Sequence, residues 1–432
     1  MMITLFRSLL DGSIHELWSP QKSTNLLLFD FNKWVDMKRS LTFGIVAIVF
    51  GLMLLPTSMN LQTSNAASLI TVPRDYPTIQ SAIDAASPGD TIKVLSGTYT
   101  EQIIITKDLK IIGSGAKSTV IKAPAVLNPS PFQPLAGRAN IVEMFDIAKV
   151  TMKGLTVAGP SGVVCPGLAG IRVTDGSTLN LDYSSIKGCT REGMLVGLSP
   201  FIPNGPQVGH ATVTNTDIRE YRGVGIQAGG PNTTVKLSRS TVVAADAPEF
   251  EGQVGVVFAF GAQGTISNNR VSGNICNHPN CGPDFLNQAQ GTAIFAVDAA
   301  SGSSISNNVI SNNDLGIAVA LNSGCCEVDR NLLKNNRFFG IAVVDGEHTI
   351  SNTKISGGNV GVLAAAFSVD TVASLNRVII VGTTTPTQEL PVGASAEVVF
   401  APRSVLTAQA TTLTGNPISF VLPTPAYGDM GS

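Results

Sequence analysis

The chain has 432 residues, of which 13% are charged, with 28 Lys and Arg against 30 Asp and Glu and a formal net charge of −2. That balance advertises no basic face for nucleic acid, and the scarcity of Lys and Arg clusters argues against an anionic membrane surface as the main partner. Gly is abundant at 43 residues and aromatic residues make up only 6%, a composition suited to thin coils with tight corners and an aliphatic interior.

Residues 1–36 precede the first recognisable signal and hold both tryptophans, Trp18 and Trp34. This stretch reads as a non-native extension, with translation starting at Met37. Met37-Lys38-Arg39, an apolar run over 41–55 and the small residues Ser64-Asn65-Ala66-Ala67 give 37–66 the three regions of an export signal, cut after Ala66. The run is short for a membrane span. An uncleaved anchor is the alternative, and the one route to a membrane.

The segment Thr78 to Ala86 reads as a short amphipathic helix with Ile79, Ala82, Ile83 and Ala86 on one face, able to plug an open end of stacked strands. Its surroundings, Ile70-Thr-Val-Pro-Arg-Asp-Tyr-Pro-Thr-Ile-Gln80, Ala82-Ile83-Asp84-Ala85-Ala86 and Pro88-Gly-Asp-Thr-Ile92, resemble the N-terminal cap of the pectin lyase-like right-handed β-helix superfamily. Gly97-Thr-Tyr-Thr-Glu101, Ile103-Ile-Ile and Leu109-Lys-Ile-Ile-Gly113 continue the resemblance, which covers about Ile70 to Ile380. It implies an all-β, right-handed parallel β-helix over 67–380, with a short N-terminal capping helix. It says little about activity, because that superfamily includes lyases, hydrolases, esterases and non-catalytic surface proteins.

A six-residue pattern recurs nine times: apolar, polar, polar, small or Asn, any residue, apolar. Copies start at Val150, Leu181, Val213, Leu237, Ile266, Ile305, Val328, Ile350 and Ala373, the last four spaced 23, 22 and 23 residues apart. A period in the low twenties, with excess length confined to certain repeats, is that of a solenoid. The fourth position is Asn at Asn269, Asn308, Asn331 and Asn376, which predicts a hydrogen-bonded ladder at one turn. A second strand in each coil follows a glycine: Gly223, Gly255, Gly291, Gly316, Gly340 and Gly361. About eleven coils result.

Alternation in these glycine-led strands points Val224, Val256, Thr292, Ile317, Ile341 and Val362 inward. It leaves Gly225, Val257, Ala259, Ala293, Phe295, Ala318, Ala320, Ala342, Val344 and Leu363 outward, a face without acid or base. Apolar sheets are usually covered, so the tail 381–432, which carries alternating stretches at 396–400 and 418–422, or a long rim loop, is expected to lie across it.

Insertions pile up in neighbouring coils. Arg219 to Arg222 is one, with Glu220, Tyr221 and Arg222; Ala244 to Gln253 is the next, with Asp246, Glu249 and Glu251; Asn274 to Gln290 is a third, with His278 and Asp284. Loops from adjacent coils stand side by side, so these residues are the candidate rim of a polysaccharide groove. Their carboxylate, arginine and tyrosine chemistry suits sugar hydroxyls or a calcium ion.

Six cysteines suit an oxidising compartment. Cys165 and Cys189 fall in equivalent turns of consecutive coils and are expected to pair; Cys276 and Cys281 bracket a short loop and are expected to staple it. Cys325-Cys326 form a vicinal bridge or stay free. Cys276, His278 and Cys281 offer three zinc ligands without a fourth, so no metal is assigned.

The familiar chemistries of the superfamily find few of their residues. Asn215-Thr-Asp217 and Gly209-His210 resemble polygalacturonase motifs, but Asp217 lacks a paired aspartate and the first motif falls in the generic repeat. Gly97-Thr-Tyr-Thr-Glu101 resembles the first pectinesterase motif, whose partner motifs are missing. Asp217 and Arg270 share one position two coils apart, but the calcium-binding aspartates that a lyase needs beside its Arg base are missing. The reading is a secreted or cell-surface protein that binds polysaccharide without established catalysis. A lyase or glycoside hydrolase of the pectin or uronate type, with its site in the rim, is the alternative.

Overall fold

The computed structural model describes residues 67–130, 139–160, 168–188, 190–197, 207–246, 252–285, 288–321, 325–366, 369–390, 404–409 and 411–414. The expected export signal, Cys165, Cys189, Glu249, Glu251 and the stretches 396–400 and 418–422 lie outside them. Among the described residues no helix is long and apolar enough to cross a membrane.

From Thr91 to Leu390 each coil contributes strands to three parallel columns. Column one stacks thirteen strands, from Leu69–Val72 to Ser404–Gln409, against the eleven or so coils expected. Columns two and three merge into one sheet because the strand Asp217–Gly229 runs through both without a break. Inward residues stack by register. Leu237, Ile266, Ile305, Val328 and Ile350 follow one another in column one. Ile218, Val242, Val271, Ile310, Leu333 and Ile355 do so in column two. Ile226, Val256, Ile294, Ile317, Ile341 and Val362 do so in column three. Each is at most 2% exposed, so each stabilises the coil by roughly 1.5–3 kcal/mol.

The cap forms as its sequence requires. Thr78 caps the helix Ile79–Ala85, whose Ile79, Ala82 and Ile83 are buried. The Glu101 carboxylate accepts from Ile79 N at 3.0 Å and Gln80 N at 2.9 Å, complementing the positive helix terminus. Asp90 accepts from Ser68 N and Ser87 N, at 2.7 and 2.8 Å. The residues that carry the family resemblance at this end therefore do structural work.

The corner between columns one and two holds the expected ladder, with two corrections. Ser240 N bonds Asn269 Oδ1, Asn269 N bonds Asn308 Oδ1 and Asn308 N bonds Asn331 Oδ1, all at 3.0 Å, and Asn331 N bonds Thr353 Oγ1 at 3.2 Å. Register, however, sets Met152 rather than Val150 against Leu181 and Leu375 rather than Ala373 against Ile350. The first and last copies are thus displaced by two residues. Asn376 stands opposite Ser351 on the outer face of column one, and Val378, fully buried, takes the fourth position.

Column three needs the same correction. The stacked glycines are Gly225, Gly255, Gly316, Gly340 and Gly361, with Ala293 among them; Gly223 and Gly291 lie two residues too early. A Cβ on Gly255 would strike the carbonyl oxygen of Ala293 and the Val271 side chain at 2.7 Å. Strand alternation breaks at this position, as at a bulge. Val224, Val254 and Thr292, which precede it, share one outward row, while Val256 and Ile294 face the core. Val224 and Thr292 therefore point outward, and Gly225 and Ala293 inward, against expectation. The remaining outward assignments are as expected, and their row is a second apolar cluster.

The tail does not lie across this face where it is described. Thr385–Leu390 extends column three, Ser404–Gln409 column one and Thr412–Thr414 column two, so coils continue past residue 380. The rim loop does reach the face: the Phe285 ring packs edge-on to Phe339 at 5.5 Å.

Candidate functional site

Two of the three expected insertions fall outside the strands where they are described. Residues 245, 246, 252 and 253 lie before the strand Val254–Ala259, and 273–285 and 288–291 before Thr292–Val297. Asn277 Nδ2 donates to Asp246 Oδ1 at 2.9 Å, so they do stand side by side. Gln253 Nε2 ties the first to Ala245 O at 2.6 Å and Arg222 O at 3.2 Å. Gln290 Nε2 ties the second to Gly282 O and Asp284 O, at 2.9 and 3.1 Å. The Cys276–Cys281 disulfide closes its tip, with Cα atoms 5.6 Å apart, which removes two of the three conceivable zinc ligands.

The base of the second loop hangs on Asp314. Its Oδ2 accepts from Cys276 N at 2.8 Å and Gly291 N at 2.9 Å, and Arg337 Nη2 lies 2.8 Å from Oδ1. The carboxylate is fully buried, and this burial raises its pKa despite the donors and the guanidinium. Arg337 Nη2 also donates to Cys276 O at 3.0 Å.

Asp246 and Asp284 are exposed on these loops. The segment 219–222 is not an insertion: it lies inside the continuous strand Asp217–Gly229, where Glu220 has φ 63° and the register shifts between Arg219 and Tyr221. That irregularity turns Tyr221 into the core. It is fully buried, its hydroxyl donates to Asn274 Oδ1 at 2.7 Å, and burial holds its pKa far above the ordinary phenol range. Tyr221 presents nothing to a ligand. Glu220 stays exposed and Arg222 is half-buried.

A second polar group was not anticipated. From Val254 to Ala365 the outward face of column three is apolar but for Thr292, whereas earlier coils place Asn140, Glu143, Arg172, Glu192 and Gln227 on the same two rows. Arg172 Nη1 bonds Glu143 Oε1 at 2.9 Å, with the side chains 0% and 4% exposed. Ser130 Oγ donates to the same oxygen at 2.7 Å, and Arg172 Nη2 donates to Gln207 Oε1 at 2.7 Å. A signal existed in the sequence. Gly170-Ile-Arg-Val has the pattern of Gly316-Ile-Ala-Val, and that pattern read two coils further back would have set Arg172 outward.

Register puts Glu143 and Glu192 two strands and three residues apart, so their Cα atoms are about 14 Å apart at about 4.8 Å per strand and 3.3 Å per residue. The residues resembling enzyme motifs sit elsewhere. Asn215, with φ 49°, and Asp217 occupy the corner between columns one and two, where Asp217 bonds Arg219 at 3.3 Å. His210 Nδ1 lies 2.9 Å from Thr234 Oγ1 on column one. Among the described residues no three His, Cys, Asp or Glu side chains converge as a metal site would need, so calcium finds no such cluster among them.

Comparisons with known proteins bear on the fold. A family model described as "Right handed beta helix region" matches residues 138–378. The GH136 lacto-N-biosidase of Eubacterium ramulus superposes with a TM-score of 0.50 at 10% identity, over 75% of this chain and 62% of that one. The A-module of the mannuronan C-5 epimerase AlgE4 of Azotobacter vinelandii gives 0.46 at 15% identity, over 80% and 93%. The family 28 exopolygalacturonase of Yersinia enterocolitica gives 0.45 at 12%, over 82% and 78%. At such identities the likeness concerns the fold alone, and no curated protein matches the chain. With its three parallel columns and a family match over more than half its length, this chain belongs to the right-handed β-helix family.

Proposed function

We propose that the protein is exported and binds polysaccharide along the rim that carries Asp246 and Asp284, without transforming it. The observation that carries this reading is the Asn277–Asp246 hydrogen bond between neighbouring loops, joined to a loop base fixed by Asp314 and the Cys276–Cys281 disulfide. A rim organised in advance loses little entropy on binding an extended chain. Glycosidases need two carboxyl groups about 5–10 Å apart across a groove. Here the buried carboxylates of Glu143 and Asp314 are paired with Arg172 and Arg337. The Cys276–Cys281 and Cys325–Cys326 disulfides support an oxidising, extracellular compartment.

The test is a panel of polysaccharides offered to the purified protein, read for binding and for release of reducing ends or unsaturated products. Binding without product supports this reading. Product release would replace it with the lyase or hydrolase alternative. The Asp246→Asn/Asp284→Asn variant should lose most binding at unchanged thermal stability.

A further inference from the structure

Stacking assembles a charged surface that the linear sequence conceals. Eight successive coils place a non-glycine residue with left-handed backbone at the corner between columns one and two: Tyr183, Asn215, Arg239, Asn268, Asn307, Arg330, Asn352 and Arg377, with φ between 46° and 60°. Asn tolerates this conformation, whereas other side chains meet steric strain of about 1 kcal/mol or more. The turn is made by Asn in four coils, so the three arginines are not there for the turn. All three are exposed.

Column two continues the pattern. Its outward residues include Lys187, Arg219, Arg270, Lys334 and Lys354, all exposed. Seven of these eight coils therefore carry a cation on one face, spread over about 34 Å at about 4.8 Å per coil. Three carboxylates stand beside them. Asp217 is bonded to Arg219 and Asp329 to Arg330, while Asp182 accepts from Thr214, Asn215 and Lys153. Arg239 and Arg330 lie along the ridge, each Nε donating to the Asn of the preceding coil, Asn215 and Asn307, at 3.2 and 3.3 Å.

We infer that this ridge and the outer face of column two bind a linear anionic polysaccharide, carboxylated or sulfated, laid along the solenoid axis. The cations fall on three adjacent rows, the corner and the two outward rows of column two. This strip, about 13 Å wide at about 3.3 Å per residue, fits one extended chain better than a duplex, whose phosphates run in two strands. Ser185, Thr241, Ser272, Ser311 and Ser356 stand among the cations and can bond sugar hydroxyls. Single-stranded nucleic acid needs aromatic platforms, and among the described residues of the ridge only Tyr183, at one end, is aromatic. The surface is distinct from the rim and does not depend on it.

The experiment compares dextran sulfate, carboxymethyl dextran and neutral dextran as probes of the full-length protein, over a series of salt concentrations. A variant with Arg239→Asn, Arg330→Asn and Arg377→Asn places at each corner the residue the other coils use, so it should be at least as stable as the parent. The parent should bind both anionic dextrans with strong salt dependence and neutral dextran weakly. The variant should bind the anionic probes about tenfold or more weakly, with a shallower salt slope, because fewer counterions are released. Equal binding by parent and variant would overturn the assignment. So would tighter binding of poly(dT) or phosphatidylglycerol vesicles than of either anionic dextran. Rim binding of neutral polysaccharide should survive in the variant, which separates a failure here from a failure of the rim.

Discussion

The Tyr221 hydroxyl donates to Oδ1 of Asn274 at 2.7 Å, 53 residues away, and heads a second buried ladder. Asn274 N and Nδ2 donate to Asn313 Oδ1 at 3.0 and 2.9 Å, and Asn313 N and Nδ2 to Asn336 Oδ1 at 3.2 and 3.0 Å. Two inner corners of the solenoid are thus zipped by amides, which satisfy backbone groups that a tight turn would otherwise orphan. Tyr221→Phe removes the first link and leaves a buried acceptor unpaired, so it should cost about 1–3 kcal/mol in denaturant unfolding. Polysaccharide binding should not change. A loss of binding at unchanged stability would return Tyr221 to the rim.

Register decided which residues were legible. The repeat and its aliphatic sixth positions announced the solenoid, because every coil must bury the same face. The glycine-led strands were less transparent. Gly223 and Gly291 also precede β-branched residues, Val224 and Thr292, and only the stacked carbonyl beside Gly225 shows which position of the strand has no room for a side chain. A two-residue error preserves alternation, so pattern alone could not expose it. Tyr221 was misread for a related reason: a charged neighbourhood, Arg219-Glu-Tyr-Arg222, looks like a loop, whereas the local register shift is invisible in sequence.

The buried Glu143–Arg172 pair should show strong coupling. Removing either partner breaks a buried ion pair, so Glu143→Gln or Arg172→Met alone should cost about 3–5 kcal/mol. The double variant should cost less than the sum of the two, by at least about 1 kcal/mol in a thermodynamic cycle. Additive losses would mean that the two charges are satisfied independently.

Asp314 gives a pH signature. Burial raises its pKa from the ordinary 3.8, so the folded state holds this proton more tightly than the unfolded one. Its contribution to stability is then complete below pH 3.8 and is lost as pH rises through the folded pKa. Asp314→Asn keeps an oxygen for Cys276 N and Gly291 N but cannot ionise. Relative to this variant, the parent should lose stability on going upward from about pH 4. Urea unfolding of both proteins between pH 3.5 and 7 tests the sign: a parent that gains on the variant with rising pH would show that Arg337 outweighs burial.

The last prediction sets two asparagines against each other. Asn308 Oδ1 accepts from Asn269 N and Nδ2, both at 3.0 Å, and its Nδ2 donates to Ile266 O at 2.9 Å and Asn331 Oδ1 at 3.1 Å. All of these groups are buried, so Asn308→Ala leaves several without partners and should cost about 3 kcal/mol or more. Asn376 occupies the same position of the written repeat but faces outward opposite Ser351, so Asn376→Ala should change stability by less than about 0.5 kcal/mol. Equal costs for the two substitutions would restore the copy at Ala373 and require the last coil to slide by two residues. Such a slide would also bring Asn376 in place of Val378 into the corner, beside Thr353. Hydrogen exchange would then find the Thr353 amide protected by an acceptor that the present register does not supply.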